Sequence, residues 1–229
     1  MENEQKSELL ISYLTLRKFL GILGILLPIL LILAGTVFGK CDAIQASISD
    51  YFHTPMRDVF VATISSMAFF LFTYKGYDKK DNLLCNIAGI SALLIAFCPT
   101  YADPFTNCMN EGILANQSQM IGKIHLFGAA TFFILIIQIS MFQFTKGSSK
   151  TPQKKKRNLI YRGCGVTIFI SLLIIGLYFL YLEKEYPFLT KYKPVFWLES
   201  IALLAFGISW LVKGDTLFKD SDEPKVKPA

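Results

Sequence analysis

Successive apolar runs of about 20 residues leave this chain few stable homes other than a bilayer, because a helix of that length matches the hydrocarbon core. Six can be drawn: Phe19–Phe38, Thr54–Tyr74, Leu83–Cys98, Gly122–Phe144, Leu159–Leu182 and Val195–Val212. Only 17% of the 229 residues are charged, against about a quarter in a soluble domain, and mean hydropathy is +0.45. The first run is longer than a signal-peptide core of roughly 7–15 residues and lacks a small-x-small cleavage site, so it reads as a retained span. Each run must satisfy its own backbone polar groups in lipid, and none alternates with the period of a barrel strand. The fold class expected is all-α: a polytopic six-transmembrane-helix bundle in residues 19–213, after an N-terminal segment 1–18 and before a disordered tail 214–229.

Local signals refine the spans. Thr54-Pro55 reads as an N-cap followed by proline at the first helical position, and Pro194 opens the sixth helix in the same way. Pro28 removes a backbone hydrogen bond inside the first helix and predicts a bend there. Lys and Arg number 17 on the side of the termini and the loops after helices two and four, against six on the other side. The excess predicts N-in and C-in topology in a cell membrane, the cytoplasmic membrane if the chain is bacterial.

The net charge of +6 and the run Lys154-Lys-Lys-Arg157 invite a nucleic-acid reading. A basic loop between two spans is the ordinary topology signal and attracts anionic lipid, so nucleic acid is set aside and membrane lipids are the expected partners. Five cysteines show no metal-ligand spacing. Cys108 could pair with Cys41 or Cys98 in an oxidising compartment, or all five could be small apolar fillers.

Chemistry concentrates in Ser47–Asp58, where twelve residues hold a histidine, two aspartates, an arginine and three aliphatic hydroxyls. With His125 and Glu199 near the starts of helices four and six, the candidates Ser49, Asp50, His53, Arg57 and Asp58 would lie at one level, forming an outward-facing polar pocket. Helix dipoles there favour Asp58 and Glu199 as anions and disfavour a protonated His125. Three readings stay open: paired groups that lock helix packing, a pocket for a lipid head group or small polar ligand, and catalysis. Two histidines with one carboxylate form a thin metal set, and a serine triad from Ser47 or Ser49 with His125 and Asp50 lacks a nucleophile elbow. No cofactor is implied, and the enzyme reading stands behind the other two. Inverted repeats and mid-span charges, which transport would favour, are missing from the sequence.

Ser47-Ile-Ser-Asp50, His125-x-x-Gly-Ala129 and Trp197-Leu-Glu199 resemble short motifs of the DRAM/Frag/Sfk group of six-helix membrane proteins. Over nearly its whole length, through Tyr13–Arg17, Thr54–Val61 and Phe206–Gly214, the chain is also similar to a bacterial family of unknown function. The resemblance implies a membrane protein associated with lipid handling or membrane organisation, with no catalytic residues to carry over. Tyr51-Phe52-His53 departs from the eukaryotic motif.

Overall fold

A computed structural model describes residues 2–101, 108, 119–147 and 151–214, with the backbone alone for residues 2–12. The described residues contain helices and turns and no strand. The long helices are α1 (Glu2–Val37), α2 (Arg57–Thr73), α3 (Lys79–Phe97), α4 (Gln119–Gln138), α5 (Pro152–Leu177) and α6 (Pro194–Lys213). π-helical turns prolong α4 through Ile139–Gln143 and α5 through Tyr178–Leu182. Five of these helical stretches are long and apolar enough to cross a membrane: Tyr13–Val37, Lys79–Phe97, Gln119–Gln143, Pro152–Glu185 and Pro194–Lys213.

The exception is α2, whose 17 residues rise about 25 Å, short of a hydrocarbon core of about 30 Å. Its start differs from the expected Thr54-Pro55 entry for a local reason. The Thr54 hydroxyl donates to the Tyr51 carbonyl at 2.8 Å and accepts from the Met56 amide at 3.1 Å, so it closes the preceding turn instead of capping the helix. Pro194 does open α6. At the other extreme, α1 begins at Glu2, well before its apolar run, and passes through Pro28 without interruption. The tail beyond residue 214 lies outside the described residues.

Each helix packs on its neighbours in sequence, and α6 closes back on α1, making a ring of six. Leu27, Leu31, Phe60, Met67, Ile136 and Phe206 fill its interior, while Leu33, Phe69, Phe127, Leu159 and Leu173 are large apolar side chains left exposed on the outside. An apolar exterior over an apolar interior is what a helix bundle in lipid requires. One end of the ring carries the turns 74–78 and 144–147 together with residues 151 and 214. The other carries Ser47–Asp58 and the turn before α6.

The closing contact between α1 and α6 is made by backbone. A Cβ placed on Gly207 would lie 2.5 Å from the Gly21 carbonyl oxygen, and one on Gly21 would lie 2.7 Å from that of Gly207. Gly207→Val should therefore cost about 1–3 kcal/mol, as an overpacked interface does. Gly176→Val on α5, where nothing lies within 4 Å, should be near neutral. Thermal unfolding in detergent compares the two, and equal midpoints would remove the argument for close approach.

Candidate functional site

The segment between α1 and α2 turns inward at Ser49–His53, a single 3-10 turn, and buries Tyr51, Phe52 and His53. That turn meets the starts of α4 and α6. His125 Nδ1 lies 2.7 Å from the Cys98 carbonyl and its Nε2 lies 3.0 Å from Ser49 Oγ. A carbonyl can only accept, so Nδ1 carries the proton and the Ser49 hydroxyl donates to Nε2. Glu199 reaches across from α6 and accepts from the Ile48 amide at 2.6 Å.

A second set lies beside it. Thr100 bridges Asp50 and His53, its hydroxyl donating to Asp50 Oδ1 at 3.1 Å and its carbonyl accepting from His53 Nε2 at 2.9 Å. Burial raises the Asp50 pKa, against the lowering effect of hydrogen bonds from Ser47 and Thr100. Burial also lowers that of His53, more than the Thr100 carbonyl and Asp50 raise it. Both shifts favour neutral forms, as desolvation does when no full counter-charge is supplied.

Of the seven candidates, Ser49, Asp50, His53, His125 and Glu199 converge. Arg57 and Asp58 stay outside, on the exposed side of the first turn of α2, with the Arg57 guanidinium over the Phe52 ring at 4.7 Å. The convergent groups bond to one another and to backbone. The serine–histidine half of a triad assembles, but the Cys98 carbonyl takes the position an aspartate would need, and Glu199 occupies the amide beside Ser49. Among the described residues, no three His, Cys, Asp or Glu side chains are grouped to hold a metal. Sequence reasoning missed Thr100 and the Cys98 carbonyl, whose roles depend on backbone geometry.

Cys41 and Cys108 form a disulfide at this same end, with Cα atoms 5.0 Å apart. It joins the segment after α1 to that between α3 and α4. Cys85, Cys98 and Cys164 are free thiols.

The opposite end holds a cavity of about 380 Å³. Cations reach it from separate segments: Arg17 on α1, Lys146 on the turn after α4, Lys154 and Arg157 on α5, and Lys213 on α6. Lys154, Arg157, Asn158 and Tyr161 follow the i, i+3, i+4, i+7 spacing of one helix face, and all four line it. The Thr151 hydroxyl accepts from the Lys154 amide at 3.2 Å and, with Pro152 in the first turn, starts α5 where this face begins.

Aromatic rings build the floor. Phe144 packs edge-on against Tyr161 and Trp210, and Tyr74 against Trp210. Above them Lys213 Nζ lies 5.0 Å from the Tyr77 ring centre and 5.2 Å from that of Phe144, while the Arg17 guanidinium lies over Tyr13 and Tyr74. Arg17 Nη1 donates to the Lys213 carbonyl at 3.2 Å, yet its Nε is buried without a partner, as is Asn158 Oδ1. Lys146 Nζ donates to Asp78 at 2.9 Å and to Asp81 at 2.6 Å, and its bond to Asp78, with that from the Asp81 amide, pulls the Asp78 pKa down. Among the described residues that line the cavity, five are cationic and none is acidic. The basic run of the sequence was one visible signal of this site; Arg17 and Lys213, at opposite ends of the chain, join it only through ring closure. Compared with known protein families, with curated proteins and with solved structures, the chain matches none.

Proposed function

We propose that this is a six-span membrane protein, both termini on the cytoplasmic side, that binds an anionic, phosphate-bearing group in the basic cavity. Cations contributed by four separate segments around one recess carry this reading. Scattered basic loops suffice for topology, whereas convergence on a cavity of small-molecule size, in the range of about 300–1,000 Å³, suits a ligand. Guanidinium and ammonium groups over an apolar aromatic floor suit phosphate oxygens, and basic pockets between spans suit lipid head groups. The Cys41–Cys108 disulfide at the far end fits an oxidising outer compartment, and α2 completes the sixth span with the turn at Thr54–Met56. The resemblance to six-helix lipid-handling proteins agrees with it.

In this reading the Ser49–His125 and Asp50–Thr100–His53 network serves as a latch. Its hydrogen bonds hold the segment after α1 against α4 and α6, and a ligand at that end would have to break them first.

The double variant Lys154→Gln/Arg157→Gln tests the basic cavity. At about 1 kcal/mol per cation, it should weaken binding of phosphatidic acid in nanodiscs about 30-fold. Wild-type affinity should also fall as salt rises. Equal binding by wild type and variant, or equal binding of phosphatidic acid and a zwitterionic lipid, would overturn the reading.

A further inference from the structure

The basic cavity has a neighbour. A second recess of about 160 Å³ is lined by Arg17, Tyr74, Lys75, Gly76, Tyr77 and Lys213. Arg17, Tyr77 and Lys213 line both recesses, so these three side chains form the boundary between them. Lys75 belongs to the smaller recess alone, Lys154 and Arg157 to the larger alone, and among the described residues lining either one none is acidic. Backbone bonds build the smaller recess. The amide and carbonyl of Lys75 both bond to the Tyr13 hydroxyl, the Gly76 amide donates to Asn82 Oδ1 at 2.8 Å, and the Tyr77 amide donates to Asp81 Oδ2 at 2.8 Å. These bonds fix the turn after α2 and leave the side chains of Lys75 and Tyr77 exposed, where a ligand reaches them.

One phosphate occupies one recess. A second anionic group tethered to the first meets the other recess at high effective concentration. The boundary suits a short carbon tether, because Tyr77 is 64% exposed and Lys213 Nζ lies only 5.0 Å from its ring centre, so an apolar face sits between the two sets of cations. Phosphates joined directly to each other have no such segment to lay across it. Resting on the proposed anion site, we infer that the ligand is a bisphosphate, two phosphate groups joined by a short carbon linker, with one phosphate in each recess and the linker across Tyr77.

Cardiolipin, whose two phosphates are joined by one glycerol, is the lipid probe, and phosphatidic acid is the comparison with a single phosphate. In nanodiscs the wild type should bind cardiolipin about fivefold tighter than phosphatidic acid, the value of one further cation near the membrane surface. Lys75→Gln should remove that preference and leave phosphatidic acid within about twofold of wild type. The variant keeps the backbone bonds to Tyr13, so the turn stays in place. Lys79→Gln removes an exposed cation from the same end of the bundle that lines neither recess, and it should leave cardiolipin binding unchanged. Lys154→Gln/Arg157→Gln should weaken both lipids.

A soluble glycerol bisphosphate distinguishes the sources. Displacement of bound cardiolipin at similar concentration shows that the paired phosphates are recognised without lipid chains; failure to displace it assigns the ligand to lipid. A wild-type preference within about twofold, which two equivalent phosphates give without a second recess, overturns the inference and leaves the anion site standing. Equal loss of cardiolipin binding in Lys75→Gln and Lys79→Gln overturns it too, because surface charge alone would then account for the preference. Equal weakening of both lipids by Lys75→Gln has the same force, since the two recesses would then act as one. If no anionic lipid binds, both the site and the inference resting on it fall.

Discussion

His125→Leu should lower the stability of the folded bundle by about 3–5 kcal/mol, the largest single-residue effect expected in this protein. The side chain is 2% exposed and satisfies two buried groups at once, the Cys98 carbonyl through Nδ1 and the Ser49 hydroxyl through Nε2. Leucine fills much of the volume and leaves both partners unpaired, at about 1–3 kcal/mol each. The loss reaches further because Ser49 belongs to the turn that Glu199 holds from α6 through the Ile48 amide. Ser49→Ala removes only one bond and should cost about 1 kcal/mol. Chemical or thermal unfolding in detergent checks the pair. A His125→Leu protein as stable as wild type would show that the network is dispensable, and the latch reading would go with it.

The disulfide gives the second large effect. Cys41 and Cys108 are 67 positions apart, and a covalent link across that separation is worth at most about 4 kcal/mol by the chain-entropy argument. Part of that is already supplied by α2 and α3, whose packing restricts the intervening chain. Cys41→Ser should therefore lower the unfolding midpoint clearly, and added reductant should lower the wild type to the same value without moving the variant further. Alkylation should reach Cys41 and Cys108 only after reduction. A reductant-insensitive midpoint, or alkylation of both without reduction, would contradict the pairing.

Among particular residues, legibility divides along the same line as these effects. The apolar runs predicted where helices lie, and the match is good for α3 to α6 because each run is a local property of the chain. Thr54 misled, since a hydroxyl can close a turn or cap a helix and the choice depends on where the next element packs. Asp58 and Arg57 looked equivalent to Asp50 and His53 in the sequence. They separate because the 3-10 turn points Asp50 and His53 inward, whereas the first turn of α2 leaves the other pair on its exposed side. Lys154, Arg157, Asn158 and Tyr161 carried a readable one-face spacing, but their significance came from partners supplied by α1 and α6. The cysteine alternatives show the same limit: spacing allowed Cys98 or Cys41, and geometry pairs Cys41 with Cys108.

Helix content, apolar character and the segregation of basic loops follow from residue types and their order, because lipid and backbone hydrogen bonding act on each segment separately. Rotation of each helix about its axis does not follow in that way. A helix apolar on nearly every side carries little mark of which face turns inward, so pairing depends on close packing between segments far apart in the chain. The ring closes where Gly21 and Gly207 let two backbones touch. That closure brings Arg17 to Lys213 across 196 positions and completes the basic cavity, while the opposite end of the bundle sets His125 against Ser49.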